Sequence, residues 1–118
     1  MKMEQINRVE LRGKVGTVRL NTFDDSTQVA NFSLATNYVY KQKDGTPVVE
    51  TTWHNVVAWS GRDLQDLSFI KKGMGVHVLG RIRISRYLAN DGTERFITEI
   101  LANQVNIVEE QLSAECTF

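Results

Sequence analysis

Apolar and polar residues alternate along most of this chain with the period of two that a half-buried strand requires. From about Ile6 to Leu20, Val9, Leu11, Gly13 and Val15 alternate with Glu10, Arg12 and Lys14, giving one apolar and one charged face. Gly13 and Gly16 within that run predict a bend or bulge, as in strongly curved sheets. After the turn signal Asp24-Asp25-Ser26, Gln28 to Tyr40 reads as a second strand. Its imperfect alternation predicts a bulge or a change of partner. Asp44-Gly45 with Thr46-Pro47 marks a turn, and the flanking Lys41 and Lys43 predict an exposed hairpin arm.

The third strand, Glu50 to Trp59, is rich in β-branched and aromatic residues. Trp53, Asn55, Val57 and Trp59 share one side of it, while His54, Val56 and Ala58 share the other. At about 3.3 Å per residue the two indoles stand roughly 20 Å apart. Ser60-Gly61-Arg62-Asp63 then reads as a helix start, with Ser60 as cap and Asp63 completing an approximate capping box. Leu64, Leu67 and Ile70 form one apolar stripe, Lys71 and Lys72 suit the C-terminal end of the dipole, and Gly73 supplies the C-cap. Gly75 to Tyr87 is the fourth strand, Asn90-Asp91-Gly92 a turn, and Thr93 to Val108 the fifth strand. Five strands with one short helix between the third and fourth fit an all-β OB-fold, a five-stranded Greek-key barrel, better than a seven-stranded sandwich.

With 118 residues the chain suffices for one compact domain with a core and is too short for two. The expected division is a barrel domain over residues 1–109 and a short polar end over 110–118, without an acidic tail. No apolar run approaches the ~18 residues of a membrane span, and the first residues open no signal peptide. A single cysteine, Cys116, allows no intrachain disulfide and no cysteine-based metal cluster, which suits a reducing cytoplasm. Fourteen basic and fourteen acidic residues cancel. The ends are mostly acidic, however, and residues 5–108 hold 13 basic and 10 acidic side chains. That mild excess permits a polyanionic partner without requiring one.

The sharpest chemical signal lies in the fourth strand. Arg81, Arg83, Ser85 and Tyr87 face one way, and Ile82 and Ile84 the other. Arginines two apart on a strand stand side by side, where they can contact successive phosphates or stack on bases. The plainer reading is a solvated outer sheet face. Trp53 and Trp59 on the neighbouring element tilt the balance, because basic and aromatic side chains sharing one curved face are what sequence-tolerant single-strand binding needs. Taken alone, each tryptophan reads as a core residue sooner than as a ligand platform. His54 and His77 read as packed or subunit-interface residues, since neither has a carboxylate or cysteine at a useful spacing. Asp24 and Asp25 fit a solvated turn better than a metal site. No G-x-S-x-G, P-loop, H-E-x-x-H or paired cysteine is present, so neither an enzyme nor a bound cofactor is expected.

Asn7-Arg8-Val9-Glu10-Leu11-Arg12-Gly13, Val29-Ala30-Asn31-Phe32-Ser33-Leu34-Ala35-Thr36, Thr52-Trp53-His54-Asn55-Val56-Val57, and Lys72-Gly73 with Val76, Val78 and Gly80-Arg81-Ile82-Arg83 resemble the bacterial single-stranded DNA-binding protein (SSB) family in order and spacing. The resemblance spans roughly residues 6–108. It implies an OB-fold domain that assembles as a homotetramer, a dimer of dimers, and wraps single-stranded DNA in replication, recombination or repair in the cytoplasm, at the nucleoid. It also implies stacking aromatics at Tyr40, Trp53, Trp59 and Tyr87. Backbone-contacting basic residues fall at Arg8, Lys72, Arg83 and Arg86, with Arg62 a less secure match. Ser85 stands where a basic residue is common, a contact that Arg81 can supply. His54 falls at a subunit-interface position. Family members usually continue through a disordered linker to an acidic tip that recruits replication and repair proteins. The sequence ends at Ser113-Ala114-Glu115-Cys116-Thr117-Phe118 without an acidic run, so a short form without that recruitment is expected. Two rivals share the fold: a tailless dimer of the PriB primosomal type that bridges replication proteins, and an OB-fold scaffold for protein or RNA.

Overall fold

A computed structural model describes residues 3–61 and 66–108. Five strands run in chain order: β1 Val9–Thr22, β2 Gln28–Lys41, β3 Pro47–Trp59, β4 Gly75–Leu88 and β5 Glu94–Ile107. They close into a barrel in the order β1-β2-β3-β5-β4, with β4 returning to β1. All pairings are antiparallel except β3 with β5, which run parallel through Val56↔Ile100 to Ala58↔Ala102. The expected five-stranded all-β barrel is therefore the observed fold.

β1 makes closure possible because it serves two partners. Its first half pairs with β4, Val9↔Gly80 to Lys14↔Gly75, and its second half with β2, Lys14↔Ala35 to Thr22↔Gln28. The switch falls at Lys14, next to Gly13, where any Cβ would run into the Ala35 carbonyl oxygen, so only glycine permits so close a crossing. A bulge follows between Val15 and Val18, where the register with β2 shifts. Both features match the bend expected from Gly13 and Gly16. The irregularity expected in β2 takes another form. β2 keeps unbroken register with β3 from Val29↔Trp59 to Lys41↔Pro47, but loses β1 beyond Ala35 and continues as a two-stranded arm.

The core is the inward face of the closed part. Val15, Phe32, Leu34, Val56, Val76, Val78, Ile100 and Val105 are buried within it. Alternation accounts for this directly, since each of these residues has an exposed or half-buried neighbour on at least one side. Three hairpin or connector turns share one local device. Asp25, Asp44 and Asp91 each accept the backbone N–H of the threonine two residues on, at 2.9–3.0 Å. Hydrogen bonding from the side chain and the backbone N–H of that threonine, the side chain leading at Asp25 and Asp91 and the backbone at Asp44, holds all three carboxylates below the ordinary aspartate range. Asp25 is thus a turn residue.

The helix expected after Ser60 is not found in its described part. Asp66 to Gly73 form successive turns, while Arg62, Asp63 and Leu64 lie outside the described residues. Ser60 Oγ accepts the Gln28 N–H at 2.8 Å, and the Ser60 N–H donates to the Gln28 carbonyl. Gly73 has φ +87° and docks the connector on β1, donating to the Val15 carbonyl at 2.8 Å. The apolar stripe nevertheless reaches the core, because Leu67 and Ile70 join the same buried cluster as the strands.

Candidate nucleic-acid interface

The outer face of the barrel carries the candidate surface, and the ladders decide which residues share it. Trp53 stands opposite Ala35, Asn55 opposite Ser33, Val57 opposite Asn31 and Trp59 opposite Val29. β5 lies between β3 and β4, so the arginine strand is one strand further from the tryptophans than adjacency in sequence suggested. The face is still continuous. Val57 pairs with Leu101, Leu101 with Arg81, and Glu99 with Arg83. Ser85 and Tyr87 extend the same side along the β4–β5 arm. A shallow groove of about 320 Å³ crosses the centre, lined by Thr17, Arg19, Asn31, Ser33, Asn55 and Glu99 among others. Hydroxyls and amides along its floor can donate to or accept from base edges and phosphates.

Exposure favours the platform reading over the core reading for the aromatics. Trp53 is 60% exposed, and Trp59, Tyr40 and Tyr87 are all exposed as well. Trp59 is braced by Phe23 in the β1–β2 turn, the rings stacked with centroids 6.0 Å apart and planes within 11°. Phe23 was not singled out from the sequence. The same is true of Tyr38, which meets Tyr40 at 6.0 Å. The register separates the expected stacking set. Tyr40 pairs with Val48 and so shares a ribbon face with Tyr38, Glu50 and His54, opposite to that of Trp53. Likewise Arg86 pairs with Phe96 and faces away from Arg83.

The basic residues differ in how free they are. Arg83 donates to Glu99 Oε1 from Nη2 at 2.9 Å and from Nε at 3.3 Å, and Arg86 is paired with Glu94 at 3.0 Å. Among the described residues, no carboxylate lies within ion-pair reach of Arg8, Lys72 or Arg81. Arg8 is exposed beside Asn7, whose side-chain amide brackets Ile82 through both its N–H and its carbonyl. Lys72 is exposed beside Gly73, next to the β1 bulge. Arg62 lies outside the described residues. His54 is half-buried with Nε2 2.9 Å from Thr36 Oγ1. His77 does have a carboxylate partner: Glu10 of the facing strand, at 2.6 Å. That hydrogen bond is the main cause lowering the pKa of Glu10.

Glu99 lines the groove and holds Arg83 in an ion pair, so it sets a negative charge beside the candidate phosphate path. Glu99→Gln is expected to raise affinity for a dT oligomer roughly three- to tenfold at low ionic strength, with the gain shrinking as salt rises. Fluorescence anisotropy of a labelled oligomer measures it. A fall in affinity would show instead that Glu99 aims Arg83.

Residues 6–108 match the Single-strand binding protein family. A single-stranded DNA-binding protein of Neisseria meningitidis serogroup A is 32% identical over 106 residues, covering 87% of this chain and 60% of that protein. One from Bacteroides thetaiotaomicron is 36% identical, covering 87% and 66% respectively. The chain thus spans about 60% of the length of the Neisseria relative. Among solved structures, a Plasmodium falciparum SSB in complex with single-stranded DNA superposes with a TM-score of 0.76 at 25% identity, over 92% of this chain and all of that one. A Thermus aquaticus single-stranded DNA-binding protein shares the fold with a TM-score of 0.70 at 18% identity, over 91% of this chain and 52% of that one. With the profile spanning nearly all of its strands and relatives above 30% identity across most of its length, the chain belongs to the Single-strand binding protein family.

Proposed function

We propose that the protein is a non-enzymatic binder of single-stranded DNA with little sequence preference, acting in replication, recombination or repair in the cytoplasm. The observation that carries this reading is the continuous outer face on which exposed Trp53 and Trp59 stand across β5 from Arg81, Arg83 and Tyr87. Bases stack on the aromatics, and phosphates follow the cations. Tyr40 and Arg86 act from the other faces of the two arms, so the strand bends around the arms rather than lying on one plane. Arg8, Lys72 and Arg62 extend the phosphate track. The DNA-binding barrel domain corresponds to residues 1–109.

Self-association belongs to the same reading. Ile82, Ile84, Leu88 and Phe96 are exposed on the Arg86 side of the β4–β5 arm, an apolar strip of the kind a monomer rarely leaves in water. A homotetramer built as a dimer of dimers, with His54 at a subunit contact, covers such surfaces.

The test is a tryptophan-fluorescence titration with oligo-dT at several salt concentrations, run beside a solution mass. Stacked bases should quench the emission, and affinity should fall steeply with salt. Matched RNA and duplex DNA should bind clearly more weakly. Binding that ignores strandedness would point to a scaffold, and a dimer with weak DNA binding to a bridging protein of the primosomal type.

A further inference from the structure

The β1 bulge has a second use besides bending the strand. Gly16 and Thr17 together stand opposite Ser33, because Val15 pairs with Leu34 and Val18 with Phe32. A bulge leaves a backbone amide without its ladder partner. Here Ser33 Oγ accepts the Thr17 N–H at 2.9 Å and lies 3.3 Å from Thr17 Oγ1. On the same outer face the residue directly opposite Trp53 is Ala35, and Ser33 is the next along β2. Both are small, so the indole of Trp53 passes over β2 and ends above β1. A Cβ on Gly16 would lie 2.6 Å from Trp53 Cζ3, 3.1 Å from Cη2 and 2.5 Å from Ser33 Oγ. The first and last are closer than a carbon can approach, so the far edge of the benzo ring fills the space a side chain would take.

We infer that Gly16, held in a bulge closed by Ser33, is the positioning residue for the Trp53 platform. This rests on the reading of Trp53 as a stacking residue. An exposed tryptophan on a strand ordinarily samples several rotamers, and binding must then restrict it. With one edge seated against β1 between a serine and a bare Cα, the ring keeps one orientation and still offers its open side to a base. Any side chain at position 16 lifts the indole or turns it over.

Two measurements decide it. In the unmodified protein, nuclear Overhauser contacts are expected between the Trp53 Hζ3 and Hη2 protons and the Gly16 α-protons, and their absence would overturn the seat whatever the variants do. A double-mutant cycle then tests its use. Gly16→Ala should lower affinity for a dT oligomer roughly tenfold, a sizeable part of one stack. In a Trp53→Phe background, where the shorter ring does not reach Gly16, the same change should cost less than about twofold. Equal losses in both backgrounds would mean that Gly16→Ala merely damages the bulge through Ser33, and the inference fails while the stacking reading stands. If Trp53→Ala itself leaves affinity unchanged, the stacking reading fails first, and there is no platform for the seat to position.

Discussion

Trp53→Ala is expected to weaken binding to a dT oligomer by roughly 5- to 150-fold, the ~1–3 kcal/mol that one base–aromatic stack is worth on truncation. It should leave the melting temperature nearly unchanged. The two halves of that expectation come from one fact: Trp53 is 60% exposed. The alanine variant gives up the contact over Ala35 and Gly16 but opens no cavity in the core, so the large penalties of core truncation do not apply. A base laid on the indole, by contrast, loses most of its partner. Thermal melting beside anisotropy separates the outcomes. A variant that unfolds while its folded fraction binds normally would return Trp53 to the core. Trp59→Ala should behave differently, because Phe23 shares its stack. Its loss of binding should come with a changed environment for the β1–β2 turn.

What the sequence showed of this surface depended on whether the information was local. Alternation within a strand is local, and it correctly put Trp53 and Trp59 on one side with His54 on the other, and Arg81, Arg83 and Tyr87 together on theirs. Turn chemistry is local too, and Asp25, Asp44 and Asp91 sit where aspartate turn signals put them. Strand order is not local. Nothing in the composition of β5 announced that it would stand between β3 and β4, bringing Glu99 onto Arg83. The Glu10–His77 pair was invisible for the same reason, since the partners are separated by most of the chain and meet only because β1 pairs with β4. Tyr40 and Arg86 illustrate a different gap. Family resemblance assigns both to DNA by position along the chain, whereas strand parity sets each on the face opposite its nearest expected partner, Trp53 or Arg83. A strand using both sets would have to wrap around both faces, and no count of residues along the chain reveals that.

In its described part the connector after β3 forms turns in place of the expected helix, and it gives the second large effect. Spacings of three between Leu64, Leu67 and Ile70 are the signature of a helical stripe, and Ser60 and Gly73 look like its caps. Yet an apolar residue can be driven into a barrel end without a helix to carry it, provided its backbone groups find other partners. In the described part they do. The Leu67 N–H donates to Gln28 Oε1 at 2.9 Å, Ser60 takes up the Gln28 backbone on both sides, and the Gly73 N–H and the Met74 carbonyl bond to Val15. Leu67, 1% exposed, is thereby held among strand residues of the core. Leu67→Ala is expected to cost ~2–5 kcal/mol, the usual range for a fully buried leucine whose cavity cannot collapse. Against a total of ~5–15 kcal/mol for a domain of this kind, that is a large share, and the melting temperature should drop by roughly ten degrees or more. Gln28→Ala should cost less, because a single hydrogen bond to a half-buried amide contributes only ~1 kcal/mol. If Leu67→Ala melts within a degree of the parent, the connector does not seal the barrel. The stability of the β3 end, and with it the setting of Trp59, must then come from the strands alone.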